Sequence, residues 1–169
     1  MPAPTTPPTI ERDPAVFYAA AIYGSILAAS LIAVFRAEHD SAKTTAFALL
    51  GTMAVFWLAH AWSQVLGERI HRGHGLGRHG VFLIARAEWP IVEAAFAPAF
   101  VLLLGWAGIL STNAAETLAL AACIVQLFAW GFAVGRKAYT VWWAAVAAGV
   151  ADGLLGLGLV WLEITVVHH

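Results

Sequence analysis

Three ionisable side chains, His60, Glu93 and Asp152, lie within long apolar stretches of this 169-residue sequence. On insertion scales, a charged side chain at the centre of a bilayer costs about 2.5 to 3.5 kcal/mol, so each of these residues needs a partner or a function. Imidazole and carboxyl groups bind and release protons, and they also bind cations. The three residues are therefore predicted to lie on a proton or cation pathway.

A fourth polar residue, Gln126, completes a predicted series of depths across the membrane. Counted along the predicted helices, Glu93 lies lowest, His60 lies about 10 Å above the inner end of its helix, and Asp152 lies about 18 Å along the last helix. Gln126 falls between His60 and Asp152. A graded series of this kind is typical of an ion pathway. Alternatively, the four side chains only hold the helices together through interhelical hydrogen bonds.

Small residues share one predicted helix face with Asp152, because they recur at helical spacing along the last apolar run. Two of them also form a GxxxG motif, which allows two membrane helices to approach closely. This face is expected to pack against another helix and to bury the Asp152 carboxyl group against protein. The residues of the packing stripe are Ala145, Gly149, Gly153 and Gly156.

The composition indicates a membrane protein. Hydrophobic residues make up 61% of the chain and charged residues only 11%, against about a quarter in soluble domains. The net charge of −1 implies no nucleic-acid surface. Cys123 is the single cysteine, so an intrachain disulfide is excluded. No metal site or cofactor is predicted: the histidines of loop 71–80 lack zinc-ligand spacing, and His60 has no second histidine at membrane depth for haem.

Five apolar runs are long enough to cross a bilayer as helices. The sequence therefore predicts an all-α helical bundle of about five transmembrane helices, forming one domain over residues 16–169, after a proline-rich disordered tail at residues 1–15. Residues 81–89 are interrupted by charges and are predicted to form an interfacial lead-in that Pro90 kinks into the third span. The predicted spans are 16–35, 44–66, 90–110, 116–135 and 141–163.

The basic residues predict the orientation of these spans. Seven of the nine lie in the tail or in loops on one predicted side, and only Arg36 and Lys43 lie on the other. By the positive-inside rule the N-terminus is inside and the C-terminus outside. In a bacterium this corresponds to a multi-pass protein of the cytoplasmic membrane, surrounded by lipids. The seven residues are Arg12, Arg69, Arg72, Arg78, Arg86, Arg136 and Lys137.

The polar residues favour an oligomeric proton or cation channel or transporter. Five helices in one protomer can hardly surround a wide pore, so a homo-oligomer is expected. A non-catalytic membrane subunit or scaffold, in which the polar residues only pack, is the main alternative. A membrane enzyme that binds a lipid or a cofactor is more remote, because the sequence contains neither HExxH nor GxSxG.

Overall fold

The computed structural model describes residues 14–38, 40–73, 75–139 and 141–167, and these residues form helices and short connections without a strand. The prediction of an all-helical protein is therefore confirmed. Residues 1–13 of the predicted tail lie outside the described residues, while Pro14 already belongs to the first helix. The helices are α1 (Pro14–Ala37), α2 (Ala42–Arg72), α3 (Arg78–Ala87), α4 (Pro90–Glu93), α5 (Phe96–Trp106), α6 (Thr112–Ala138) and α7 (Trp142–Val167).

Three helices, α1, α2 and α6, are each long and apolar enough to cross a membrane. The segments Arg78–Glu93 and Phe96–Trp106 meet the same criterion together, as one helix bent by 44°. Helix α7 runs from Trp142 to Val167, and its described apolar stretch, Trp142–Gly158, is not among these candidate spans. By length and composition the described residues thus contain three candidate spans, or four with the bent helix, whereas the sequence predicted five.

Prolines explain where the bent helix breaks. Pro98 has no backbone N–H, so it cannot donate to the carbonyl group of Ala94, four residues earlier. The bend falls between Glu93 and Phe96, just before this proline. Pro90 instead occupies the first turn of α4, where a missing N–H costs nothing. The sequence placed the kink at Pro90 and the start of the span there, whereas in the structure α3 already packs along α2.

Contacts at both ends show that α1 and α6 run antiparallel. Near the start of α1, the ring of Tyr18 lies 6.0 Å from that of Trp130 and 5.0 Å from Nζ of Lys137. Near the end of α1, Arg36 Nε lies 3.7 Å from Oε2 of Glu116. These contacts define two ends of the bundle, which we name the Lys137 end and the Arg36 end.

Helix α1 lies at the centre of the bundle and packs against α2, α4, α6 and α7. Its small residues make close packing possible: a Cβ atom at Gly24 would lie 2.9 Å from the Cα and O atoms of Ile91 in α4. The core is completed by larger side chains from α1, α2, α4 and α5. Fully buried among them are Ile32, Leu49, Met53, Ile91 and Leu102.

The small residues of α7 lie against α6. A Cβ atom at Gly149 would lie 2.8 Å from the carbonyl oxygen of Phe128, and one at Gly156 would lie 2.6 Å from Leu127 Cδ1. Ala145 is fully buried and faces Gly135, where a Cβ atom would lie 2.5 Å from its Cα. Close contact between the two backbones therefore depends on glycines in both helices.

Hydroxyl groups within the helices donate to their own backbone. Ser25 Oγ, which is fully buried, donates to the carbonyl oxygen of Ala21 at 2.9 Å. Thr45 and Thr117 donate in the same way to carbonyl groups four residues earlier. These bonds satisfy the hydroxyl groups locally, without a neighbouring helix.

Candidate functional site

His60 of α2 lies within ion-pairing distance of Glu88, the residue that follows α3. His60 Nε2 lies 3.5 Å from Glu88 Oε2. The Glu88 side chain is only 4% exposed, whereas that of His60 is 43% exposed. A buried carboxylate is costly unless it is paired. Glu88 therefore needs the imidazole as a partner. The half-exposed imidazole in turn connects the buried carboxyl group to the surface of the bundle.

A break in the helical chain presents Glu88 to α2. Its N–H donates to the carbonyl oxygen of Ile84, which closes the last turn of α3. Pro90 then occupies the first turn of the short helix α4. Because Glu88 lies between two helices, its side chain can point at His60 while α3 and α4 each keep their own packing.

Two tryptophans hold this break against α2. Trp57 Nε1 donates a 2.7 Å hydrogen bond to the carbonyl oxygen of Ala85, in the last turn of α3. The Trp57 ring also meets the Trp89 ring edge to face, with the centroids 5.5 Å apart. Trp57 and His60 are three residues apart and share one helix face. The same face of α2 therefore contacts α3 through Trp57 and Glu88 through His60.

The pair lies well inside the apolar part of the bundle. The His60 ring lies 5.9 Å from the ring of Tyr23, which is nine residues after Pro14 and so about 14 Å along α1 from the Lys137 end. The next residue, Gly24, contacts Ile91 of α4. If the bundle crosses a membrane, the His60–Glu88 pair is therefore within the hydrocarbon layer rather than at its surface.

The other predicted site residues lie elsewhere. Glu93 is exposed on the outside of α4. Asp152 is partly buried, with its carboxylate against Gly131 of α6. The Gln126 Oε1 atom is buried and has no hydrogen-bond partner among the described residues. Because α7 packs on α6 and α1, Asp152 is separated from His60 by α1, and the structure does not bring the four residues together.

Their order along the bundle also differs from the predicted series. Asp152 contacts Gly131, which is five residues, or about 7 Å, nearer the Lys137 end of α6 than Gln126. Glu93 is next to Ala94, which contacts Gly24 of α1. Gly24 is one residue nearer the Arg36 end than Tyr23, whose ring lies beside His60. Where helices break or cross, the depth of a residue in the bundle is not proportional to its distance along the sequence. Counting residues therefore does not predict the depth.

Two buried carboxyl groups were not assigned these positions from the sequence. Glu88 belongs to the predicted interfacial lead-in 81–89, and Glu116 is the first residue of the predicted span 116–135. In the structure both are 3% exposed, Glu88 next to His60 and Glu116 next to Arg36. A signal for Glu88 was present: residues 81–110 form one apolar stretch with only three charges, which is compatible with a single interrupted span.

The described residues contain no group of three or more His, Cys, Asp and Glu side chains that could hold a metal ion. A groove of about 350 Å³ between α6 and α7 is lined by apolar residues such as Val125, Phe128 and Leu154. The His60 imidazole and the Glu88 carboxyl group, 3.5 Å apart, are close enough to exchange a proton. Imidazole and carboxyl groups both bind and release protons.

The fold and the site define a class: an all-helical, strongly apolar chain with several candidate membrane spans and an ion pair inside the bundle. Comparisons with protein-family models, with curated proteins and with solved structures found no match.

Proposed function

We propose that this protein is a multi-pass membrane protein that transfers protons through the His60–Glu88 pair. The observation that carries the proposal is the contrast in exposure within the pair: 4% for the Glu88 side chain and 43% for His60. An imidazole that is open on one side and faces a buried carboxylate on the other can take a proton from outside and deliver it inward. A purely structural pair does not need this difference.

Proton transfer through the pair needs no other group at the first step. When His60 binds a proton, the imidazolium is stabilised by the Glu88 carboxylate 3.5 Å away. Transfer from Nε2 to Oε2 leaves a neutral imidazole and a neutral carboxyl group, which the apolar surroundings favour. The neutral imidazole can then bind the next proton. Asp152, on the other side of α1, is the candidate for a later step of the pathway, and the Gln126 amide can offer only a hydrogen bond there.

The second candidate function is a scaffold without transport, in which the polar residues only join helices. One observation favours it: Trp57 and His60 both connect α2 to the α3–α4 break. In this case the pair orders the broken helix, and its protonation has no role. Interhelical hydrogen bonds of this kind are common in membrane proteins and modest in energy.

The proposed topology has five spans, including α7, with the N-terminus inside and the C-terminus outside a cytoplasmic membrane. Gly75 and Asn113 are exposed at opposite ends of the bundle, and a Cβ atom at Gly75 would meet no atom within 4 Å. We expect Gly75→Cys to react with a membrane-impermeant thiol reagent only from the cytoplasmic side, and Asn113→Cys only from the other. Buried Cys123 provides a low background. Reaction of both cysteines from one side would contradict this topology.

Proton flux into liposomes tests the proposed function. Purified protein is reconstituted, a pH gradient is imposed, and a trapped pH-sensitive dye reports uptake. We expect Glu88→Gln and His60→Gln each to reduce the flux by on the order of tenfold or more, because neither amide can exchange a proton. Glu116→Gln is the matched control: it also alters a buried carboxyl group in an ion pair, and it should leave the flux intact.

Two results would argue against proton transfer through the His60–Glu88 pair. Equal loss of flux in Glu88→Gln and Glu116→Gln would attribute the effect to damaged packing, and an absence of flux in the wild type would favour the scaffold. Asp152→Asn in the same assay tests the later step. A reduced flux includes Asp152 in the pathway, whereas unchanged flux with the same pH dependence limits the pathway to the His60–Glu88 pair.

A further inference from the structure

The groove between α6 and α7 is open to the surroundings of the bundle. Val125 and Leu154 in its walls are 66% and 60% exposed, and every residue that lines it is apolar. Gly153 leaves room at its centre: a Cβ atom there would meet only one atom within 4 Å, Cβ of Phe128 at 3.9 Å. With a volume of about 350 Å³ and no polar side chain in its walls, the groove suits a hydrocarbon chain.

Along α6, the groove leads toward a basic residue. The ring of Phe132 is stacked on that of Phe128, with the centroids 6.4 Å apart. Phe132 and Arg136 follow Val125 by seven and eleven residues in one continuous helix, so both lie within about 20° of it around the helix axis. Arg136 is exposed. It therefore lies on the groove side of α6, at the Lys137 end.

Along α7, the groove leads toward a tryptophan at the same end of the bundle. Trp143 precedes Val150 by seven residues in one continuous helix, so it lies within about 20° of this lining residue around the axis. Its side chain is 62% exposed. Tryptophan is enriched where a membrane meets water, because its ring is partly apolar and partly polar. The groove thus ends between a guanidinium group and an interfacial aromatic ring.

We propose that this groove binds one anionic phospholipid, with an acyl chain against Phe128 and Gly153 and the phosphate group on Arg136. The proposal rests on the membrane location included in the proposed function, but not on proton transfer. Guanidinium groups bind phosphate through paired hydrogen bonds. Neither ion pair between described residues includes Arg136. Basic sites between helices on the cytoplasmic side of a membrane bind anionic headgroups in this way.

The depth of the groove suits one lipid that contacts both parts. Phe128 and Ile124 precede Arg136 by eight and twelve residues, which corresponds to about 12 and 18 Å along α6. One leaflet supplies about half of a hydrocarbon layer of about 30 Å. With Arg136 at the headgroups, the groove lies in the same leaflet. Lys137 does not share this position, because its Nζ atom lies 5.0 Å from the ring of Tyr18 in α1.

A second copy of this chain fits the groove less well than a lipid. Copies with the same topology are related by an axis along the membrane normal. Such an axis beside the groove would bring Arg136 toward Arg136, and the copy would supply no anion. A phospholipid supplies an acyl chain and a phosphate group at the required separation.

Lipid binding to the full-length protein tests the headgroup. The protein is purified in detergent, stripped of lipid and titrated with dioleoyl phosphatidylglycerol or dioleoyl phosphatidylcholine, and native mass spectrometry counts the bound lipids. We expect one phosphatidylglycerol to bind more tightly than phosphatidylcholine by on the order of fivefold or more, because only the first carries a net negative charge. Arg136→Gln should remove this preference. Lys137→Gln, the matched loss of charge at the neighbouring residue, should retain it.

Filling the groove tests the acyl chain. Gly153→Leu places a side chain in the groove while its Cβ atom makes an ordinary contact with Phe128. We expect it to weaken the binding of both lipids by on the order of tenfold, because the apolar site is occupied. Gly51→Leu is the matched control in α2, where a Cβ atom meets nothing within 4 Å, and it should bind both lipids as the wild type does.

Three results would overturn the proposal. The first is equal affinity of the wild type for the two lipids, and the second is unchanged lipid binding in Gly153→Leu. The third is complete displacement of phosphatidylglycerol by inorganic phosphate, which would make Arg136 a site for free anions. A preferred lipid without proton flux supports the groove while removing proton transfer, and flux without a lipid preference does the reverse.

Discussion

Gly135→Val is expected to prevent α7 from packing on α6. A Cβ atom at this position would lie 2.5 Å from the Cα atom of Ala145 and 3.1 Å from Cβ of Ala148. Because the first of these is a backbone atom, the two helices would have to separate, and the cost is about 3 kcal/mol or more. The midpoint of unfolding in a graded detergent series should fall accordingly, and protease should cleave around α7.

Gly158→Val provides the matched control on the other helix of this pair. No atom lies within 4 Å of a Cβ built at Gly158, so the same substitution meets open space. Valine also has a slightly higher helix propensity than glycine. Unchanged or slightly raised stability is expected. If Gly135→Val unfolds at the same midpoint as Gly158→Val, the close approach of α6 and α7 described here is wrong.

Gly24→Ala is expected to displace the α3–α4 break. The added methyl group would lie 2.9 Å from the Cα and O atoms of Ile91 and 3.0 Å from Cβ of Ala94. The two nearest atoms belong to the Ile91 backbone, so no flexible side chain can move aside. We expect a loss of about 2 to 3 kcal/mol in stability and a weaker His60–Glu88 pair, visible as a changed histidine titration by NMR.

Gly51→Ala should have neither effect. Gly51 is an exposed residue of α2 with no atom within 4 Å of the added methyl group, and alanine favours the helix by about 1 kcal/mol. The contrast between Gly24→Ala and Gly51→Ala therefore measures the contact of α1 with α4 and not the loss of glycine. An unaltered histidine titration in Gly24→Ala would show that the position of Glu88 does not depend on this contact.

The helices could be predicted because a long apolar run that crosses a membrane has few alternatives to the α-helix. His60 could be singled out for a related reason, since a polar residue in such a run is costly. The beginning of the third span was harder to infer. Charges at Arg86 and Glu88 divide one bent helix into a short amphipathic part and a long apolar part, and the sequence reads these as separate elements.

The partner of His60 could not be predicted, because it depends on how the helix break is oriented. Glu93 was the obvious acidic residue, since it lies in the apolar part after Pro90. A soluble helix would have shown that Glu93 faces outward, through alternating polar and apolar faces. In a membrane protein the face toward lipid is as apolar as the core, so periodicity does not distinguish the inner face from the outer one.

The local hydrogen bonds of the hydroxyl groups bear on how the bundle is made. Ser25 bonds within α1, although α1 later becomes the central helix that α4, α6 and α7 surround. The Ser25 hydroxyl group is therefore satisfied by α1 alone, whether or not its neighbours are in place. Glu88 and Glu116 instead contact His60 and Arg36 on other helices. These two contacts form only when the helices pack, so they report on the assembly of the bundle and not on the formation of its helices.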